Sequence, residues 1–285
     1  MKIGIIGNGF VGNATKQLKC NDISTIMFDI NPELCEPKGI SLEDLLICEI
    51  IFICVPTPMK ENGECYLDIV NKVVKQLNDL KFKNFIVIRS TVPIGTSDRL
   101  NTYFMPEFLT EKNYIVDFIN NKNWIFGLLD KDKERDLLFK KYIENLFFLA
   151  RKSERIKYNN VNFVLNKEAE LIKLFRNCFL ATKVSFCNEI CEFCEKNDIN
   201  YNNVRELAAS DDRILHSHTY VPGHDGKKGF GGTCFPKDIN SLLHQMKNSN
   251  VNSYVLSSVI ERNENVDRKA KDWELNKGRA VVSSD

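Results

Sequence analysis

Residues 2–12 read Lys-Ile-Gly-Ile-Ile-Gly-Asn-Gly-Phe-Val-Gly, and this stretch decides the fold. A short apolar run from Lys2 to Ile6 leads into a glycine-rich turn over 7–12, and an amphipathic segment begins at Asn13. The pattern predicts a strand, a turn and a helix. In a turn of this type the first glycine makes the bend, the second lets backbone N–H groups approach a pyrophosphate, and the third packs the helix against the strand. The N-terminus of the helix adds a partial positive charge that favours an anion.

An acidic residue stands where this kind of turn needs one. A second apolar run, Thr25 to Phe28, ends at Asp29, seventeen residues after Gly12. A carboxylate at this distance binds the hydroxyls of a ribose, and it favours NAD over NADP because it would repel a 2′-phosphate. We therefore predict an NAD site whose residues are Gly7, Gly9, Phe10, Val11, Gly12 and Asp29.

The composition excludes several classes of protein. With 39 basic and 38 acidic residues the net charge is +1, so no charge excess points to nucleic acid or to an anionic membrane surface. No apolar run approaches the length of a membrane span, and the chain opens directly into a strand without a signal peptide. The ten cysteines are scattered, which favours reduced thiols and a cytoplasmic location.

Alternating strands and helices predict the architecture. Further strands are expected at Glu49–Val55, Phe85–Arg89 and Trp124–Leu128, with a helix at Tyr66–Leu80. This alternation is typical of an α/β fold with a Rossmann-type, doubly wound parallel sheet. With 285 residues, 43% of them hydrophobic, the chain is long enough for two domains. We predict a Rossmann domain over 1–160, a mainly helical domain over 161–272 and a tail over 273–285.

Two of the predicted strands end in prolines and hydroxyl residues. Glu49–Val55 runs into Pro56-Thr57-Pro58, and Phe85–Arg89 runs into Ser90-Thr91-Val92-Pro93. Prolines can simply end strands. Ligands of such sheets, however, bind at the carboxyl ends of the strands. We therefore predict that Thr57 and Thr91 face the ligand crevice.

A long helix is predicted in the second half of the chain. From Lys167 to about Lys196 the apolar residues recur with a period close to 3.6. Lys173 and Asn177 lie four residues apart and Asn188 eleven further on, so all three fall near one face of this helix. They form either a solvated surface or a polar patch directed at a site.

Residues 229–238 read Gly-Phe-Gly-Gly-Thr-Cys-Phe-Pro-Lys-Asp. Three glycines let the backbone fold tightly and approach a ligand, and they deliver Cys234 with Lys237 and Asp238 just behind it. A thiol near a cation shifts toward the thiolate, the form that attacks carbonyl carbon, and a carboxylate can orient water or take a proton. By itself the loop could equally be a glycine turn that carries a buried cysteine.

Taken together, these segments resemble the UDP-glucose/GDP-mannose dehydrogenase family, and most of all its UDP-glucose-oxidising members. The resemblance covers roughly residues 1–262. The matching segments, in family order, are IGIIGNGFVG, VPTP, STVPIGT, PEFLTE, AELIKLFRNCFLATKVSFCNE, the Asp-Asp-Arg-Ile of 211–214 and GFGGTCFPKD. The resemblance implies an enzyme that uses NAD to oxidise the C6 alcohol of a nucleotide sugar twice, as in UDP-glucose to UDP-glucuronate.

The resemblance implies a covalent mechanism. Cys234 would capture the aldehyde as a thiohemiacetal, and a second oxidation would give a thioester that water hydrolyses. Lys173 and Asn177 would stabilise the oxyanion. Asp238 would act as a base or orient the water.

The hydrolytic and binding residues are implied in the same way. Glu107 would serve the hydrolytic step, and Thr91 would help to position the water. Arg213 matches a family arginine that reaches the substrate of a neighbouring subunit, a task that suits the bidentate fork of a guanidinium. The substrate-binding set is Glu107, Phe108, Leu109, Glu111, Lys173, Asn177, Arg213, Phe230 and Gly231, while Thr57, Thr91 and Lys237 join the cofactor set. In this family a helical segment in this position usually mediates dimerisation, so the resemblance also implies a homodimer.

The family pattern continues beyond the segments found here. Members normally carry another domain that holds the nucleotide, and after Ser253–Asp272, which resembles the start of the linking helix, we expect only a tail. One alternative is therefore a truncated, non-catalytic NAD-binding or dimerisation module that needs a separate substrate-binding domain. Another is a short hydroxyacid dehydrogenase, which combines a Rossmann unit with a helical domain and uses a lysine but lacks a cysteine loop like this one.

Two patterns suggest metal sites and are better explained otherwise. Cys187, Cys191 and Cys194 have the spacing of an iron–sulfur site, but on the predicted helix they form a stripe that indicates buried core thiols. The histidines of the polar loop, His216, His218 and His224, have no helix or strand to fix them. We predict no metal site.

Overall fold

The structure is a computed structural model, and it describes residues 1–283. The chain divides into two compact units. Unit 1 comprises Met1–Thr57 and Leu67–Lys173, and unit 2 comprises residues 58–66 together with the chain from Leu174 onward.

Unit 1 is built on a seven-stranded sheet. Its strands are β1 Lys2–Ile6, β2 Ser24–Phe28, β3 Ile50–Ile53, β4 Phe85–Ile88, β5 Tyr103–Phe104, β6 Trp124–Leu128 and β7 Val161–Leu165. They lie in the order β2-β1-β3-β4-β5-β6-β7, and every neighbouring pair is parallel except β5 and β6. The predicted α/β fold with a doubly wound sheet is confirmed. The strand order reverses between β1 and β3, which is where such sheets bind ligands.

Apolar side chains cover both faces of this sheet. Ile50 and Phe52 of β3 lie in one buried cluster, whereas Ile51 and Ile53 lie in the other. Alternate residues of a strand face opposite sides, and a parallel sheet that is buried on both faces needs apolar residues at every position. This explains why β3 and β4 read as the unbroken runs Ile-Ile-Phe-Ile and Phe-Ile-Val-Ile.

The helices of unit 1 pack their apolar faces against the sheet. They are α1 Phe10–Thr15, α2 Asp68–Asp79, α3 Thr96–Leu100, α4 Tyr114–Ile119 and α5 Lys133–Lys152. In α2 the buried residues are Val70, Val74 and Leu77. Their spacing of four and three puts them on one helix face, so the sequence of α2 determines which side meets the core.

Unit 2 is mainly helical. Its helices are α6 Asn166–Lys196, whose first turns belong to unit 1, α7 Tyr201–Ala208, α8 Phe235–Asn248 and α9 Tyr254–Arg262, and a π-helical turn, Asn263–Asp267, follows α9 directly. Leu174, Ile239 and Val259 belong to its apolar core, one from each of α6, α8 and α9.

The cysteine stripe on α6 is buried. Cys187, Cys191 and Cys194 cluster with Tyr201 of α7, and burial raises the pKa of Cys187 and of Cys191. The prediction that these cysteines are core thiols is confirmed.

Two strands escaped prediction from the sequence. β5 has only two residues, and β7 is a partly exposed strand at the end of the sheet. Because β7 pairs with β6 in unit 1, the expected domain line at residue 160 falls before the last strand of the sheet. The boundary drawn by the structure lies at Lys173, inside α6.

The C-terminal segment also differs from the expectation. Trp273 and Ala280 are only 2% and 1% exposed. Within unit 2 the Met59 N–H donates to the Ala280 carbonyl, and the Val282 N–H donates to the Met59 carbonyl. The expected tail over 273–285 is therefore an ordered part of unit 2 over residues 273–283, because distant backbone pairing holds it. Ser284 and Asp285 lie outside the described residues. Between residues 1 and 283, no helix is both long and apolar enough to cross a membrane.

Candidate active site

The glycine turn after β1 brings backbone close to backbone. Gly7 has a φ of +100°, and a Cβ there would lie 2.5 Å from the Cys54 carbonyl oxygen. A Cβ on Gly12 would lie 1.9 Å from the Gly7 carbonyl oxygen. A Cβ on Gly9, in contrast, would meet nothing within 4 Å. Gly7 and Gly12 are thus required by the fold, whereas Gly9 borders open space where a ligand can approach.

The Asp29 carboxylate lies beside this turn at the end of β2. It accepts the Asn8 N–H at 2.8 Å through one oxygen and the Asn31 N–H at 2.9 Å through the other. A carboxylate held beside a glycine turn at the start of a helix matches the chemistry of a ribose and a pyrophosphate. The residues of unit 1 therefore fit the predicted NAD, and Phe10 lies beside the ring of Tyr114, with ring centroids 6.3 Å apart.

The loops after β3 and β4 meet at the predicted edge of the sheet. The Thr57 hydroxyl donates to the Thr91 carbonyl at 2.8 Å, and the Thr57 side chain is buried. The two threonines were predicted from separate strand ends. The structure brings them together because parallel neighbouring strands end at the same edge.

Lys173 and Glu107 form a buried ion pair within unit 1. The ammonium of Lys173 lies 2.6 Å from Glu107 Oε1, and the two side chains are 3% and 5% exposed. Glu107 Oε2 accepts the Leu109 N–H at 2.9 Å, and the ammonium also lies 5.9 Å from the centre of the Phe108 ring. Separating such a pair leaves a buried charge uncompensated. Glu111 lies exposed in the turn that follows.

Two buried charged residues near these loops escaped prediction from the sequence. Arg89, at the end of β4, is 2% exposed, donates to the Thr15 hydroxyl and lies 5.5 Å from the centre of the Phe118 ring. Burial lowers the pKa of Arg89, and the electrostatic interactions with Cys54 and Glu107 act in the opposite direction. An arginine that directly follows an all-apolar strand is the signal that could have identified it.

Glu170, the second of these residues, holds the start of α3. Its carboxylate accepts the N–H groups of Gly95 and Ser97, the latter at 2.8 Å. Burial raises the pKa of Glu170 to about 7, although the two backbone hydrogen bonds act in the opposite direction. Glu170 lies three residues before Lys173 on α6, and this spacing on one helix face was the available signal.

In unit 2, three predicted residues form one buried chain of hydrogen bonds. The Asn177 amide donates to Asp238 Oδ2 at 2.6 Å, and the Lys237 ammonium lies 2.6 Å from Asp238 Oδ1. Burial alone would lower the pKa of Lys237, but the negative charge of Asp238, with Cys234 and Cys65, outweighs it and raises that pKa. Lys237 therefore stays protonated beside the cysteine loop. Asn177 is a buried residue, so the solvated-surface explanation for it is wrong.

Cys234 is the N-cap residue of α8, with Pro236 in the first turn. Its side chain is partly exposed, and its Sγ lies 3.9 Å from the Thr233 hydroxyl oxygen. The N-terminus of a helix carries a partial positive charge that stabilises a thiolate. The local sequence explains this position, because proline ends the loop and starts the helix at once.

The remaining predicted substrate residues of unit 2 are spread over its loops. Phe230 is part of the cysteine loop, residues 229–238, and its side chain is buried in the apolar core of unit 2; Gly231 follows it. The Arg213 side chain is 88% exposed and forms a forked ion pair with Asp211, which raises the pKa of Arg213. The Arg213 guanidinium is therefore exposed and is held by Asp211 of the same loop, and its contact with a substrate stays a prediction.

Over residues 1–283 no group of three or more histidine, cysteine or acidic side chains is arranged to hold a metal ion. His216 lies 3.9 Å from Glu206, and the His218 ring packs near Phe235. The absence of a metal site stays a prediction.

Two family models match the chain. The model described as the UDP-glucose/GDP-mannose dehydrogenase family NAD-binding domain matches residues 42–147, and the family's central-domain model matches residues 167–265. The first match lies in unit 1 except for residues 58–66, and it confirms that unit 1 contains an NAD-binding domain. The second contains the predicted residues Lys173, Asn177, Cys234 and Asp238.

A curated relative supports the same family. The chain is 34% identical over 230 residues to the UDP-glucose 6-dehydrogenase of Rickettsia prowazekii, an alignment that covers 75% of this chain and 49% of the relative. The chain thus spans about half the length of that relative.

Solved structures show where the fold recurs. The UDP-glucose dehydrogenase of Pyrobaculum islandicum superposes with a TM-score of 0.78 at 22% identity, over 92% of this chain and 68% of that one. The 3-hydroxyisobutyrate dehydrogenase of Mycobacterium tuberculosis superposes with a TM-score of 0.67 at 14% identity, over 91% of both chains. At these identities the likeness shows the fold and leaves the chemistry open. The family assignment rests on the two family models, which match successive parts of the sequence. The chain belongs to the UDP-glucose/GDP-mannose dehydrogenase family.

Proposed function

We propose that this chain is an NAD-dependent nucleotide-sugar 6-dehydrogenase that oxidises UDP-glucose twice, to UDP-glucuronate. One observation carries the proposal: Cys234 is the N-cap residue of α8, and the first turn of this helix carries Lys237 and Asp238, which form a buried chain of hydrogen bonds with Asn177 of α6. A dehydrogenase that stops at an aldehyde needs no nucleophilic thiol. A thiol is needed when the acyl group must stay bound between two oxidations.

The covalent step follows from the chemistry of the thiolate. Cys234 Sγ adds to the aldehyde carbon, a C–S bond forms and the carbonyl oxygen takes a proton, which gives a thiohemiacetal. Loss of a hydride and of the hydroxyl proton converts it to a thioester. Water then attacks the thioester carbon, the C–S bond breaks, and the carboxylic acid leaves while the thiolate is restored.

The buried polar groups stabilise the charges that develop in these steps. The Lys173 ammonium and the Asn177 amide are the donors for the oxyanion, and removal of one such donor typically lowers kcat by about 10²–10³. Asp238 accepts hydrogen bonds from the Asn177 amide and the Lys237 ammonium, so it orients Asn177. Glu107, whose carboxylate is held by Lys173, takes the proton of the attacking water, and Thr91 positions that water.

NAD, when bound, accepts a hydride in each of the two oxidations. The residues that would hold it belong to the turn after β1 and to the loops after β3 and β4. Gly9 leaves room for the pyrophosphate, Asp29 binds the ribose hydroxyls, and Thr57 keeps the loop of Thr91 in place.

The first test is NADH formation by the purified chain with NAD⁺ and a panel of nucleotide sugars, in the unmodified chain and in Cys234→Ala. The expected result is two NADH and one acid per UDP-glucose, with acid formation lost in the variant. Cys20→Ala is the matched control, because Cys20 is also partly exposed but lies outside the predicted site. Acid formation that survives in Cys234→Ala would refute the covalent step.

The same assay separates the alternatives. One NADH per molecule of a small hydroxy acid, without a response to nucleotide sugars, would indicate a hydroxyacid dehydrogenase. NAD⁺ binding without turnover of any substrate would indicate the non-catalytic module that needs a separate substrate-binding domain.

We further propose that the chain forms a homodimer through α6. Four phenylalanines, spaced by four or seven residues along the helix, are each about 60% exposed: Phe175, Phe179, Phe186 and Phe193. This spacing puts them on one stripe, and a stripe of exposed aromatic side chains favours a self-complementary contact. Sedimentation of the unmodified chain should give a dimer, and Phe186→Asp should give a monomer. A monomeric unmodified chain would contradict the proposal.

A further inference from the structure

The backbone of the cysteine loop is held by side chains of two distant segments. The Asn263 amide, in the π-helical turn after α9, donates to the Phe230 carbonyl at 3.0 Å, and its oxygen accepts the Phe230 N–H at 2.8 Å. The Asn188 oxygen, on α6, accepts the Gly229 N–H at 3.1 Å. Both asparagines are almost fully buried, at 1% and 2% exposure. All of these residues lie within unit 2.

Both asparagines are themselves held in place. The Asn188 amide donates to the Val184 carbonyl at 2.8 Å, so its oxygen is directed at the loop. A Cβ on Gly229 would lie 2.4 Å from the Asn263 oxygen, so the loop is pressed against that side chain. A side-chain amide that bonds both the N–H and the C=O of one residue acts as a short piece of neighbouring strand. No local sequence pattern requires this arrangement.

Arg268 lies against the same loop. Its guanidinium is bound by Asp225 and Asp272, the latter at 2.8 Å, and a Cβ on Gly231 would lie 2.6 Å from its Nη2. The loop therefore packs against a fixed guanidinium and two fixed amides. The glycines make this close approach possible, because they have no side chain.

We infer that Asn263, with Asn188, is a positioning residue for Cys234. The inference rests on the proposed function, in which Cys234 is the nucleophile. Asn263 bonds residue 230, and the chain runs from there through Gly231, Gly232 and Thr233 to the thiol with no regular structure between them. We call the hydrogen bonds that Asn263 and Asn188 form with the loop the clamp. Without the clamp, the two glycines let this segment move, and the thiol loses its place at the start of α8. A displacement of about 1 Å at a reacting group can lower the rate by about 100-fold.

Hydrogen exchange of the full-length chain tests the clamp without any need for turnover. In Asn263→Ala, amide exchange at Phe230 should become about 5- to 150-fold faster, because a buried N–H loses its partner. Exchange over 232–235 should also rise several-fold. Asn263→Asp has the same shape and keeps an acceptor for the Phe230 N–H, so its effect should be smaller.

The matched control is Asn166→Ala. Asn166 is also fully buried and donates two hydrogen bonds, to Asp98 and to the Thr102 carbonyl, but it lies in unit 1. It should lower stability without changing exchange in the cysteine loop. If Asn263→Ala and Asn166→Ala give the same exchange at 229–235, or if exchange rises at Phe230 but not over 232–235, the positioning role is refuted.

Kinetics provide the second readout. Asn263→Ala should lower kcat for NADH formation by about 100-fold and leave the Kd for NAD⁺ unchanged, and Asn263→Asp should recover part of the loss. An unchanged kcat would overturn the inference even if exchange rises. If the unmodified chain turns over no nucleotide sugar, the proposed function fails, whereas the exchange experiment still decides whether Asn263 orders Cys234.

Discussion

Replacement of Gly12 by alanine should destabilise unit 1 through one backbone contact. The added Cβ would stand 1.9 Å from the Gly7 carbonyl oxygen and 3.1 Å from its carbon. Carbon and carbonyl oxygen normally approach to about 3.3–3.6 Å. The atom in the way belongs to the backbone of the turn, so no rotation of a side chain can relieve the overlap. Either α1 or the turn must move.

The size of the effect can be bounded. Overpacking of a filled site typically costs about 1–3 kcal/mol of stability. We expect the upper end of this range, because only a backbone movement can relieve the overlap. Alanine in place of glycine in a helix stabilises the folded state by about 1 kcal/mol, which offsets part of this cost. The net loss should therefore be about 2 kcal/mol, which lowers the Tm of a unit of this size by about 4–8 °C.

Thermal unfolding followed by circular dichroism measures this loss, and Gly9→Ala is the control. A Cβ on Gly9 would meet nothing within 4 Å, and its φ of −78° suits alanine. Gly9→Ala should keep the Tm of the unmodified chain. It should weaken NAD⁺ binding in a titration, because its methyl group would occupy the space assigned to the pyrophosphate.

Equal Tm values for the two variants would refute the assignment of Gly12 to close packing. Unchanged NAD⁺ affinity in Gly9→Ala would show that the cofactor does not approach the turn at this glycine.

Three further perturbations test the charged and crowded positions. Lys173→Met should lower the free energy of unfolding by about 3–5 kcal/mol, because the Glu107 carboxylate stays buried without the Lys173 ammonium. Urea unfolding measures this loss, and the additional substitution Glu107→Gln should restore most of it. Glu170→Gln should flatten the pH dependence of stability. Burial raises the pKa of Glu170 from 4.5 to about 7, so between these two pH values only the unfolded chain releases the proton. The free energy of unfolding should therefore fall by about 2–3 kcal/mol from pH 5 to pH 8. Gly231→Ala should lower the stability of unit 2 by about 1–3 kcal/mol, because its Cβ would overlap the fixed guanidinium of Arg268.

Each of these perturbations has an outcome that contradicts it. A double variant at Lys173 and Glu107 that is no more stable than Lys173→Met would show that the uncompensated carboxylate is not the cause. Parallel pH–stability curves for Glu170→Gln and the unmodified chain would show that this carboxyl does not titrate near neutrality. A Gly231→Ala chain of normal stability would show that the loop can move away from Arg268.

Much of the fold could be predicted from short-range patterns. β1 and β6 were predicted at their observed bounds, and the helix predicted from Lys167 to about Lys196 is α6, Asn166–Lys196. Apolar period, glycine spacing and proline position are local signals, and a long helix or an unbroken apolar strand repeats its signal many times. β5 has only two residues and β7 is partly exposed, so neither strand carries enough apolar positions to be recognised from the sequence.

In the candidate site, too, local motifs could be predicted whereas long-range contacts could not. The residue types of the glycine turn and the cysteine loop could be read in advance, because each motif needs its chemistry at a fixed local spacing. The pairing of Lys173 with Glu107, and of Asn177 with Asp238, joins residues 66 and 61 positions apart. The resemblance to a family named these residues, but their contacts were not in any local pattern.

The sequence by itself determined the α/β alternation of the first half, the long helix α6, the two glycine motifs and the family, since each depends on neighbours within a few turns of the chain. Only the tertiary structure decided that Arg89 is buried, that Glu170 holds the start of α3 and that Asn263 clamps Phe230. A buried polar group takes whichever partner the packed chain brings to it, and the partners of Glu170 and Asn263 lie 73 and 33 residues away. Those contacts exist only once the two units have folded.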